Sequence, residues 1–214
     1  MRASCKNNIK PWFTLFRKVV ETNSIPLDLI INLDETPLRF VTKPSLVVMP
    51  SSSPIQPIIP TPSRALNATV TLAVGMKGKS FPTQLLWPSK RIPNDFDLLT
   101  KPDVIIDANG SGWQTEKTFR DYMINTLLPS IIDYRNTVYN SSTPILIILD
   151  GHSSRASVPV LEFCNQNNII ILCFPSHVSH LIQPCDRGLN KLLKDRLKFY
   201  YDESHNPFVV FYIK

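Results

Sequence analysis

Pro144-Ile145-Leu146-Ile147-Ile148-Leu149-Asp150 decides the fold. Five aliphatic residues opened by a proline and closed by an acid have the length and composition of a buried strand. Downstream, Ala156 to Asn167 carries helical spacing, with Val160, Leu161, Phe163 and Cys164 on its inner side. Ile169–Phe174 is a second apolar strand, broken by Pro175-Ser176-His177, and a last helix starts near Cys185-Asp186 and runs to about Tyr201. Upstream, Phe119, Tyr122, Met123, Leu127 and Ile131 mark one face of a helix from Thr115 to about Tyr134. Thr115 stands at its N-cap, with Thr118 where a capping box takes Glu. Ala68–Met76 and Phe81–Trp87 alternate about the turn Lys77-Gly78-Lys79-Ser80 and read as a hairpin. Leu29-Ile30-Ile31-Asn32-Leu33 is a short run ending in Asp34. Three strands followed by alternating helices and strands predict an α/β fold with a mixed five-stranded sheet flanked by helices.

Composition agrees with one such domain. Of 214 residues, 43% are hydrophobic and only 19% charged, which supports a real core and excludes general disorder. Lys and Arg exceed Asp and Glu by six, which is compatible with a polyanion partner and by itself raises that prior only modestly. The four cysteines, Cys5, Cys164, Cys173 and Cys185, form no CxxC pair, so a zinc knuckle is not indicated. No apolar leader and no stretch long enough to span a bilayer is present, which predicts an intracellular chain with reduced thiols. Six of the 19 prolines fall between Pro44 and Pro62, so about 43–64 reads as an extended loop within the domain.

Asp34 and Asp150 each close an apolar run, and the C-terminal edge of an open α/β sheet is where ligands bind. Either one alone is equally a turn residue, and Asp186 at the start of the last helix is by itself an N-cap. Together on one sheet edge, three carboxylates repel unless cations lie between them, and oxygen-only donors select Mg²⁺ or Mn²⁺. Two such ions suit an in-line phosphoryl displacement.

The strings around these acids make the reading specific. Asn32-Leu33-Asp34-Glu35-Thr36, Leu149-Asp150-Gly151-His152-Ser153-Ser154-Arg155, and Phe174-Pro175-Ser176-His177 through Gln183-Pro184-Cys185-Asp186 with Gly188 and Lys191-Leu192-Leu193-Lys194 occur in that order. They resemble the three aspartate motifs of DDE-type transposases of the pogo/Tigger/jerky group in the mariner superfamily. Asp150 and Asp186 are 36 positions apart, which suits that group's short second interval, and Gly112-Trp113-Gln114-Thr115 is similar to its segment before the long helix. The resemblance runs from about Trp12 to Tyr200. It implies an RNase H-like fold, a catalytic and metal-binding triad of Asp34, Asp150 and Asp186, a two-metal Mg²⁺ or Mn²⁺ site, DNA as partner, and cleavage followed by strand transfer. It also implies a nuclear protein.

Neighbouring residues carry expectations of their own. His152 touches the scissile phosphate, supports a ligand, or caps a turn. His180 and Gln183 support the Asp186 loop, whereas zinc held by His177 and His180 would need further ligands. Glu35 falls on the opposite side of its strand from Asp34. Arg155 pairs with DNA or with a surface acid. Asn190 lies one turn beyond Asp186, and Lys191, Lys194 and Lys198 form an adjacent stripe, read either as a solvated face or as a DNA-backbone contact. Trp113 reads as a packing anchor rather than a base-stacking surface.

Residues 1–27 read as a linker or remnant, 28–201 as the catalytic domain, and 202–214 as a truncated tail. A helix-turn-helix reader is expected to be separate or missing, so the chain reads as a fragment, a decayed element or a host-adopted copy. An oligomer is compatible with this organisation. The alternative is a catalytically silent DNA-binding or protein-interaction module of the same fold. A phosphatase using Asp34 is disfavoured because position 36, where an acid/base Asp would stand, is Thr.

Overall fold

A computed structural model describes residues 3–40, 66–92, 103–151, 157–176 and 178–204. The proline-rich stretch 43–64, the tail from 205, His152, Arg155 and His177 lie outside these, and of His180 and Lys198 only the backbone is described. The elements are α1 (Ala3–Thr22), β1 (Ile30–Phe40), β2 (Leu66–Gly75), β3 (Thr83–Trp87), β4 (Val104–Ala108), α2 (Glu116–Tyr122), α3 (Leu128–Val138), β5 (Ile145–Leu149), α4 (Val158–Gln166), β6 (Ile169–Cys173), α5 (Ser179–Ile182) and α6 (Asn190–Ser204). π turns at Met123–Leu127 and Cys185–Leu189 lead into α3 and α6.

The strands form one sheet in the order β4-β3-β2-β1-β5-β6. It has six strands rather than the five expected. The addition is β4, which pairs parallel with β3 from Thr83↔Val104 to Trp87↔Ala108. Five short residues, Val-Ile-Ile-Asp-Ala, give too weak an alternation to stand out. The expected hairpin is present, β2 antiparallel to β3. β1 is antiparallel to β2 and parallel to β5.

The sheet is stepped. β1 pairs with β2 along its length, from Ile31↔Gly75 to Phe40↔Leu66, but its pairing with β5 stops at Asn32↔Ile148. Asp34 is therefore not at the end of its strand. It sits in mid-strand opposite Leu72, at the level where β5 runs out. Beyond it, β1 has a partner on one side only among the described residues, which is how Pro37 fits within a strand.

Alternation assigns the faces. Asn32, Asp34, Thr36 and Leu38 lie on one side, and Ile31, Leu33 and Glu35 on the other. The main core gathers Leu29, Ile31, Leu33, Phe119, Met123, Leu127, Leu128, Ile131 and the whole of β5. α2 begins with the expected cap: the Thr115 hydroxyl accepts from the Thr118 amide at 3.2 Å, and the Thr118 hydroxyl accepts from the Thr115 amide at 2.9 Å. In α4, Val160 and Cys164 are buried as expected, but Leu161 is exposed, because it follows Val160 by 100° around the helix. A second cluster, Leu38, Ala68, Val70, Leu85, Trp87 and Leu197 with Leu193, seats α6 on the Asp34 face of the sheet.

Two side chains fasten outlying segments to this frame. On α1, the buried Trp12 stacks on Phe174 at 4.9 Å between ring centroids, and its indole N–H donates to the Cys173 carbonyl at 2.8 Å. From β1, Asn32 donates to the Ile148 carbonyl at 3.0 Å and accepts from the Cys185 amide at 3.0 Å, so one amide joins β1, β5 and the turn that carries Asp186.

Truncation of Trp12 to alanine is expected to cost about 3–5 kcal/mol in urea unfolding, through loss of the stacked ring and the cavity left behind. For Asn32→Leu, the buried Cys185 amide and Ile148 carbonyl lose a partner each. The expected cost is about 2–3 kcal/mol, with faster alkylation of the Cys185 thiol as the turn loosens.

Candidate active site

Asp34 is a carboxylate only 5% exposed on the face of a β-sheet, so it needs donors. One comes from the first residue of α6. Asn190 Nδ2 donates to Asp34 Oδ2 at 2.7 Å and to Asp186 Oδ1 at 3.2 Å. A single amide thus couples the first and third acids of the expected triad. The assignment of nitrogen toward the carboxylates is chemically forced, since an amide oxygen there would face two anions. The π turn brings this about. The amide of Asn190 bonds the carbonyl of Cys185 five residues back, while Arg187 N–H reaches the Gln183 carbonyl at 3.1 Å. Asp186 lies on this turn and faces solvent.

Asp150 directly follows β5. It is two positions past the Asn32↔Ile148 pair, which puts it level with Asp34 on the adjoining strand. The structure thus couples Asp34 with Asp186 through the Asn190 amide and brings Asp150 to the same level of the sheet as Asp34. Among the described residues, no three His, Cys, Asp or Glu side chains are drawn together into a cluster that could hold a metal.

The expected supports divide. Gln183 is fully buried beneath the Asp186 turn, with Nε2 at 3.5 Å from the Leu33 carbonyl, the peptide oxygen preceding Asp34. Its Oε1 and Asn190 Oδ1 are buried without a hydrogen-bond partner. Lys191 and Lys194 are exposed on α6. Glu35 pairs across from Thr71 on the opposite face from Asp34, as its position in the strand required. His152, Arg155 and the side chains of His177, His180 and Lys198 are outside the described residues.

Cys185 lies inside the site. Burial, reinforced by the Asp34 and Asp186 carboxylates, pushes its thiol up to about 12. It is neutral near pH 7 and a poor metal ligand in that form.

Two features were missed in the sequence. Asn32 was absorbed into an apolar run, although a polar residue two before Asp34 shares its buried face and so signals a polar stripe. Trp113, expected to be a packing anchor, is 51% exposed. The loop it ends is fixed by polar side chains and glycine, so packing of the indole is not needed to hold it.

No described helix is long and apolar enough to cross a membrane. A 49-residue stretch is 49% identical to part of the MFS-type transporter clz9 of Cochliobolus lunatus, but it covers 23% of this chain and 5% of that protein. Among solved structures, the Mos1 transposase paired-end complex with left transposon end superposes with a TM-score of 0.58 at 13% identity, covering 99% of this chain and 58% of that one. The catalytic domain of Mos1 mariner transposase superposes with a TM-score of 0.56 at 12% identity, covering 99% of this chain and 87% of that domain. These likenesses establish the RNase H-like fold. The family model for DDE superfamily endonucleases matches residues 79–205, more than half of the chain, and the chain belongs to that family.

Proposed function

We propose that this transposase-type domain cleaves and joins DNA phosphodiesters with Mg²⁺ or Mn²⁺ held by Asp34, Asp150 and Asp186. The observation that carries the reading is the Asn190 amide between Asp34 and Asp186, at the level of Asp150. The donor set fits a hard divalent cation: it is built of carboxylate oxygens, with the unpaired Asn190 Oδ1 buried beside them. Structures of Mos1 have been solved with Mn and with Mg, which favours the same choice here. When bound, the cations supply an activated water or hydroxyl and offset charge on the leaving oxygen.

The chain's own residues do the rest. Asn190 donates to one oxygen of each of two carboxylates, Asp34 Oδ2 and Asp186 Oδ1, and so fixes how both are turned. Gln183 props the Leu33–Asp34 peptide, and the roles we assign to His152 and His180 are support of the second and third acids. Lys191, Lys194 and Lys198 bind the phosphate backbone without reading sequence. Placement on particular DNA ends falls to a helix-turn-helix module outside this domain, and the work is nuclear.

Supercoiled plasmid is expected to be nicked with Mn²⁺ by the wild type, and Asp34→Asn, Asp150→Asn or Asp186→Asn is expected to lower the rate by at least ~100-fold, more than a supporting group alone is worth. Mn²⁺ calorimetry on the same proteins separates outcomes. Binding without nicking leaves the site intact but short of its reader, and neither one favours a silent module of the same fold.

Asn190→Leu removes the donor shared by a buried carboxylate. It is expected to cost about 2 kcal/mol in urea unfolding, from loss of hydrogen bonds to charged groups. Mn²⁺ affinity is expected to fall ~10–100-fold, as for other residues that orient ligands.

A further inference from the structure

Of the three tryptophans, Trp12 and Trp87 are buried and Trp113 is exposed. A large exposed aromatic ring on a mobile loop would be unremarked, but this loop is locked. The Asn109 side chain accepts from the amides of Ser111 at 3.1 Å and Gly112 at 2.9 Å, and donates to the Trp113 carbonyl at 2.7 Å. Ser111 Oγ accepts from the Trp113 amide at 3.2 Å. Thr69 Oγ1 donates to the Gly112 carbonyl at 2.6 Å, and the next residue, Gln114, donates to Gln84 at 2.9 Å. Gly112 has φ +72, and a Cβ there would come within 2.0 Å of the Asn67 carbonyl oxygen, so only glycine fits. The backbone under Trp113 is therefore held from both sides while the side chain is left half in solvent.

Two cations lie beside the loop. Gly110 N–H bonds the Ser89 carbonyl, which brings the exposed Lys90 and Arg91 beside the loop; the Lys90 side chain passes 3.8 Å from where a Gly110 Cβ would stand. The position is also directed. β3 and β4 run parallel to β1, and their last residues, Trp87 and Ala108, are level with Leu38, four residues beyond Asp34. Three strand spacings across and four residues along put this corner roughly 20 Å from Asp34. α6 leads from the acids toward that edge: it starts at Asn190, and Leu197 joins the cluster holding Leu38 and Trp87, with Lys191 and Lys194 facing solvent.

We propose that Trp113 is a stacking platform for an unpaired base of the bound DNA, with Lys90 and Arg91 on the flanking phosphates. The inference rests on the reading of this domain as DNA-binding. An aromatic face accepts any base, and a ring on a fixed loop loses little freedom on binding. A DNA strand leading from the acids along α6 would reach this corner about six base steps away, at 3.4 Å each, where an unpaired base could meet the ring.

The exposed position makes the test direct, since Trp113 is the tryptophan whose emission solvent and ligand reach. A mixed-sequence single-stranded oligonucleotide, and the same strand annealed to its complement, are titrated into the full chain. Binding is followed in parallel by anisotropy of a labelled end. The single strand is expected to quench tryptophan emission. Trp113→Ala is expected to abolish the quenching and weaken single-strand binding roughly 10-fold, Trp113→Phe to restore most of the affinity, and neither to change the melting temperature. Wild-type binding without quenching, unchanged affinity in Trp113→Ala, or equal quenching by the paired duplex overturns the platform. Failure of the wild type to bind either DNA overturns the DNA-binding reading itself.

Discussion

The architecture turns on keeping a carboxylate dry on the face of a β-sheet. Asp34 is buried, and its neighbours on that face, Asn32 and Thr36, are buried polar groups as well. A stripe of this kind is tolerated only if donors and acceptors are delivered to it. They come from the Cys185–Asn190 segment: the Cys185 amide reaches Asn32, and the Asn190 side chain reaches Asp34. Docking of α6 is thus specified twice, by polar atoms at its start and by Leu193 and Leu197 further along. The apolar contacts supply most of the adhesion, and the polar contacts fix where along the sheet the helix begins.

The step in the sheet makes that stripe reachable. Were β5 as long as β1, its backbone would continue past Asp34. Because β5 ends at Leu149, Asp150 can turn out of the sheet level with Asp34, and the Asn190 amide ties Asp34 to the exposed Asp186. The long strand serves a separate purpose. Its upper half carries β2, β3 and β4 away from the acids, and with them the loop that ends in Trp113.

Much of this was legible in the sequence because it depends on local signals. β5 and β6 are unbroken aliphatic runs, the β2–β3 hairpin alternates about a Gly-containing turn, and Thr115 and Thr118 mark a helix start. Asp34 and Asp150 stand out because acids after apolar runs are conspicuous. What was hidden depends on neighbours distant in the chain. The apolar run ends at Leu33, and only the pairing with Thr69–Leu72 carries the strand on through Asp34-Glu35-Thr36-Pro37. Asn32 looked incidental until Cys185, 153 residues away, was placed on it. Trp113 looked like core, since a tryptophan in a short Gly-containing segment usually anchors it; here Asn109, Thr69 and the steric demand at Gly112 do the anchoring.

The composition of the buried stripe bears on whether the domain is more than a scaffold. Asn32, Asp34, Gln183 and Asn190 are all buried, and the acceptor oxygens of Gln183 and Asn190 have no partner. Each unpaired buried polar atom costs on the order of 1–3 kcal/mol, and apolar side chains of similar volume would remove that cost. A fold maintained only for stability has no use for two orphaned amide oxygens around a buried carboxylate. Working sites tolerate breaches of local packing rules, and these two lie within one helical turn of Asp186, on the segment docked against Asp34. The same contacts that weaken the core as a core therefore favour the reading of this corner as a working site.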